Sequence, residues 1–86
     1  MKNSRNLKSA DKVESLLREP VVEIVGQRRL LIEHHQGVLG YSLEEVCVRV
    51  EFGSIRILGC DLRIMQLSKE QLVICGRIDA VQMFGR

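Results

Sequence analysis

Residues 46–57 constrain the fold more than any other stretch: Val-Cys-Val-Arg-Val-Glu-Phe-Gly-Ser-Ile-Arg-Ile. Apolar side chains alternate through Val46, Val48, Val50 and Phe52, and again at Ile55 and Ile57. Period-two alternation places successive side chains on opposite faces of a strand. Gly53-Ser54 interrupts the pattern and reads as a two-residue hairpin turn, because glycine accepts the positive φ such turns need. Pairing outward from it sets Phe52 against Ile55, Val50 against Ile57 and Val48 against Gly59 on one apolar face. The other face then pairs Glu51 with Arg56 and Cys47 with Cys60. Opposite charges across an antiparallel pair contribute a few tenths up to about 1 kcal/mol. A slip of one residue would turn the valines into water.

The flanking sequence extends this β pattern in both directions. Val21–Val25 and residues 28–34 read as two strands joined by Gly26-Gln27. That turn sets Val21, Val25, Leu30 and Ile32 on one face and Val22, Ile24 and Leu31 on the other, so neither face is cleanly apolar. Gly37 and Gly40 bracket a turn or short strand, and residues 42–45 are a polar connection. After Ile57, Gly59 marks a bend where the chain starts a new layer. Ser68-Lys69-Glu70 is a turn, and residues 71–76 and 77–84 are the last strands, with Gly76 between them. Glycines follow apolar pairs at Gly26, Gly40, Gly59 and Gly76, at intervals too uneven for a solenoid. The expectation is an all-β domain over residues 20–86, a small antiparallel meander or rolled sheet of about six to seven strands.

Residues 1–19 form a separate region. Lys2, Arg5 and Lys8 make its start basic, a tail with at most weak attraction to an anionic surface. Leu7, Ala10, Val13, Leu16 and Leu17 recur at helical spacing, Ser9 can cap a short helix over residues 10–18, and Pro20 stops it. Its apolar stripe suits packing on the sheet or docking to a membrane or partner protein.

Composition limits the function classes. The 86 residues allow one domain with a thin core, since such a chain buries only about 60–65% of its unfolded surface. A net charge of +2 is too mild for a dedicated nucleic-acid binder. No run of about 18 apolar residues is present, and no apolar segment follows the basic start, so the expected location is the cytoplasm. Three cysteines without metal spacing fit a reducing compartment. Cys75 reads as a small core residue. His34 and His35 are adjacent, so on a strand they point to opposite faces and chelate poorly. One exposed and one locally hydrogen-bonded histidine is the expectation. No phosphate-cradling glycine loop and no nucleophile-base set is visible. The chain is therefore expected to lack catalytic residues, cofactor, metal and small-molecule substrate.

From about Pro20 to Arg86 the chain resembles the YabP/YqfC family of bacterial sporulation proteins, most closely its YqfC branch. The resemblance is carried by residues 31–38 (Leu-Ile-Glu-His-His-Gln-Gly-Val) with Tyr41, then Val48-Arg49-Val50 and Gly53. It continues through residues 57–64 (Ile-Leu-Gly-Cys-Asp-Leu-Arg-Ile), Glu70-Gln71-Leu72 and residues 74–78 (Ile-Cys-Gly-Arg-Ile). The family usually shows Asn-His and a basic residue where this chain has His34, His35 and Gln36, so no specific role passes to His34. The candidate motif or interaction residues are Glu33, His35, Gly37, Tyr41, Gly53, Gly59 and Gly76. The resemblance implies a non-enzymatic structural or adaptor protein of endospore formation in the mother cell. It also implies action at the membrane around the forespore, beside a membrane-protein partner, with sheet edges as surfaces for partners or self-association. The alternative is a small Sm-like β-barrel that binds RNA, which the 3% aromatic content disfavours because base stacking needs aromatic platforms. A thiol redox or metal protein is a third reading, one that reactive thiols or stoichiometric zinc would reveal.

Overall fold

Two long strands carry the architecture. A computed structural model describes residues 19–85, so the basic tail and the helix expected over residues 10–18 lie outside the described residues. The strands are β1 (Val21–Val25), β2 (Arg29–Glu33), β3 (Val38–Tyr41), β4 (Glu45–Val50), β5 (Gly53–Leu67) and β6 (Gln71–Gly85). All pairings are antiparallel, in one six-stranded sheet of order β1-β2-β6-β5-β4-β3. Fifteen residues at about 3.3 Å each would span about 50 Å, and the longest extent is 47 Å. The β5–β6 hairpin therefore runs the length of the domain.

Each end of that hairpin carries its own wing. β2 pairs with Gln71–Cys75 at the turn end of β6, and β4 pairs with Gly53–Leu58 at the far end of β5. Between the wings the hairpin bends. Its register breaks at Leu58/Gly59, Cys60/Arg63 and Ile64/Gln66, and β-bulges of this kind bend a strand and increase its twist. The bend depends on bare backbone. A Cβ on Gly59 would collide with the Arg77 carbonyl, and one on Gly76 (φ +130) with Asp61 and Leu62. The bend at Gly59 is thus as expected, and residues 71–84 are one bent strand with no break at Gly76.

The wings close over a shared apolar face. Leu30 and Ile32 of β2, Val46, Val48 and Val50 of β4, and Ile55, Ile57, Leu62, Leu72, Ile74 and Ile78 of the hairpin form one buried cluster. Full burial of each such side chain contributes about 1.5–3 kcal/mol. Backbone bonds carry the ladders past the strand ends and fix both ends of the β2–β3 connection: His34 N–H to the Glu70 carbonyl at 2.8 Å, Gln36 N–H to the Arg49 carbonyl at 2.7 Å, and Arg49 N–H to the Gly37 carbonyl at 2.8 Å.

Three expectations change. The central turn lies at Glu51-Phe52, so Val50 opposes Gly53, Val48 opposes Ile55 and Val46 opposes Ile57. The shift is even, so the buried face keeps Val46, Val48, Val50, Ile55 and Ile57, but Phe52 becomes an exposed turn residue. Gly53 is thus a strand residue: it pairs with Gly85, and a Cβ there would strike the Phe84 carbonyl, so the glycine serves this approach and not the turn. Second, the β1–β2 turn has three residues, with Val25 opposite Arg29. Val22, Leu30 and Ile32 consequently share the core face, and Ile24 lies on the same side of β1 but stays exposed. Third, Cys47 opposes Arg56 and Cys60 opposes Arg77. The two cysteines are separated by four positions along β5, about 13 Å, and do not face each other. Cys75 is half-buried opposite Arg29 and Arg63, outside the core cluster.

Candidate functional site

The motif residues gather at the points that hold the roll shut. His35 sits in the connection between β2 and β3, only 9% exposed. Its Nε2–H donates to the Ser68 carbonyl at 2.8 Å, in the β5–β6 turn. A carbonyl can only accept, so Nδ1 is left to accept the Gly37 N–H, at 2.9 Å. One neutral imidazole thus ties together three segments: the connection, the hairpin turn and, through Gly37, the start of β3. Ser68 Oγ also accepts the Gln71 N–H at 3.1 Å, which fixes the turn that supplies the carbonyl.

Tyr41 makes the second clasp. Its hydroxyl donates to the Leu62 carbonyl at 2.9 Å, across the bend of β5. Asp61 there has φ +58, a conformation that takes the backbone out of the regular ladder. The Leu62 N–H is met by the Leu43 carbonyl at 2.8 Å. Tyr41 and Leu43 thereby satisfy both backbone groups of a residue whose side chain is fully buried.

Of the other candidates, Gly59 and Gly76 form the bend, and Gly53 lets the end of β6 approach. Glu33 ends β2 beside a hollow of about 530 Å³ lined also by His34, Ser68, Glu70 and Gln71. His34 lies exposed there with φ +65, and its Nδ1–H donates to the Glu19 carbonyl at 2.9 Å. A second hollow, about 640 Å³, is lined by Cys60 and Cys75 with Arg28, Asp61 and Arg77. The Asp79 carboxylate accepts from Arg77 Nε and Nη2 at 3.1 and 3.2 Å. That hydrogen bond, with the charge beside it, holds the guanidinium above its ordinary pKa. Among the described residues no group of three or more His, Cys, Asp and Glu side chains is placed to hold a metal ion. No helix among them is long and apolar enough to cross a membrane.

Sequence reasoning missed the partners rather than the motif residues. Ser68 and Leu62 act through backbone carbonyls, which carry no residue-type signal. Arg56 was expected against Glu51, but its Nε lies 2.7 Å from Glu45 Oε2, a charge contact without hydrogen-bond alignment. Its guanidinium also stacks over Phe84, 5.0 Å from the ring centroid.

The profile of the YabP family matches residues 18–85. A protein named "Uncharacterized protein YqfC", from Bacillus subtilis (strain 168), is 32% identical over 63 residues, which cover 73% of this chain and 68% of that protein. No solved structure matches. The matched span begins just before β1 and takes in both clasps, the bend and the whole sheet, and on that evidence the chain belongs to the YabP family.

Proposed function

We propose that this protein is a non-enzymatic structural or adaptor module of endospore formation. It acts in the mother cell, at the membrane around the forespore, with a membrane protein of the same programme as its partner. The observation that carries the reading is family membership across residues 18–85, taken with the sporulation role that the resemblance implies. The use of the motif residues supports it: His35, Gly37, Tyr41, Gly59 and Gly76 serve the shape of the sheet. A scaffold conserves its usefulness through shape and presents it through edges and faces.

The test is genetic and then biochemical. Deletion of the gene in its spore-forming host should lower the yield of heat-resistant spores or leave cortex or coat defective. A deletion strain with wild-type spore yield and normal layers would remove the reading. A pull-down from sporulating cells should recover a membrane protein, and repeating it without residues 1–19 assigns the contact to the sheet or to the N-terminal region.

A further inference from the structure

The sheet's edges are unequal, and one of them is complementary to itself. Ile78 N–H still reaches the Gln27 carbonyl at 2.8 Å. Beyond it, residues 80–85 of β6 pair only with β5 among the described residues, and Asp79 falls in the register break between them and Ile78. Open edges are normally blunted by lysine, proline or a bulge. Residues 80–85 have no lysine or proline and pair with β5 in unbroken register. Met83 is 62% exposed and Phe84 42%.

We propose that this edge pairs with the same edge of a second copy, antiparallel about a two-fold axis at Gln82. In that register Val81 meets Met83 on one face and Ala80 meets Phe84 on the other. The two Gln82 amides face each other and can exchange hydrogen bonds. Asp79 falls opposite Gly85, so no like charges meet. A self-complementary patch of this kind closes as a dimer with no free end. The other edges fit a second copy less well. β1 centred on itself would oppose Glu23 to Glu23. β3 is four residues long with a register break between Val38 and Gly40, and the open end of β5 breaks between Ile64 and Gln66. The five regularly paired residues 80–84 of each copy lie at the small end of interfaces, so association is weak and concentration-dependent. The inference rests on the edge alone and stands apart from the sporulation reading.

Sedimentation of the full chain from micromolar to millimolar concentration should show a monomer–dimer equilibrium. Gln82→Lys and Gln82→Glu each place like charges at the axis and should weaken it about fivefold. An equimolar mixture of the two should associate more tightly than either variant alone. Gln82 is exposed and opposes Arg56 within the chain, so by circular dichroism Gln82→Lys should melt a few degrees below the parent and Gln82→Glu a few degrees above it, while both weaken the dimer. A chain that stays monomeric throughout overturns the proposal, whether residues 1–18 or nothing covers the edge. A dimer indifferent to both substitutions, or a mixture no tighter than its components, overturns it as well.

Discussion

Replacing His35 tests whether the roll is held by its clasps. His35→Ala removes two hydrogen bonds, to the Ser68 carbonyl and from the Gly37 N–H. Each neutral bond contributes about 1 kcal/mol net, and a partner stranded out of water costs about 1–3 kcal/mol. The ring is only 9% exposed, but Ser68 is exposed and Gly37 half-buried. Water can partly replace what they lose, so each loss falls at the lower end of its range. With the lost ring burial, the expected cost is about 2–3 kcal/mol. For a domain of this size about 1 kcal/mol moves the melting midpoint by about 4–8 °C, so the shift should be about 10–20 °C downward. The Gly37 amide should also exchange faster, because its acceptor is gone. The neighbouring position gives the contrast. His34 is exposed at φ +65 with one surface bond, so His34→Gly should be neutral or stabilise by up to about 1 kcal/mol. Thermal melts by circular dichroism and amide exchange by NMR read both. A His35→Ala chain melting within about 2 °C of the parent, or a His34→Gly chain equally damaged, would refute the reasoning.

Other substitutions separate shape from side-chain chemistry. Gly76→Ala should destabilise by about 2–4 kcal/mol in chemical denaturation, through its φ of +130 and collision with Asp61. Gly40→Ala, where a Cβ meets nothing within 4 Å, should stay within about 0.5 kcal/mol. Tyr41→Phe should cost about 1 kcal/mol and quicken exchange near Leu62, since only the bond to its carbonyl is lost. Mild oxidation followed by peptide mapping should yield no Cys47–Cys60 link within one molecule, because those positions lie too far apart for a disulfide.

Alternation along residues 46–57 was sufficient to place Val46, Val48, Val50, Ile55 and Ile57 on one buried face, because a side chain's face depends only on its parity along the strand. The corners at Gly59 and Gly76 and the turn at Ser68 were equally local. Position along the strand is a different quantity: a shift by an even number of residues leaves every face unchanged, so the pattern could not choose between a turn at Glu51-Phe52 and one at Gly53-Ser54. The structure shows the glycine used for something else: Gly53 lies in β5 opposite Gly85, where the Phe84 carbonyl leaves no room for a side chain, so it serves strand packing and not the turn. The same holds for the clasps. His35 and Tyr41 stand out as residues, but their acceptors are the carbonyls of Ser68 and Leu62, and every residue has a carbonyl. Only the folding of one wing over the other brings those particular ones within reach.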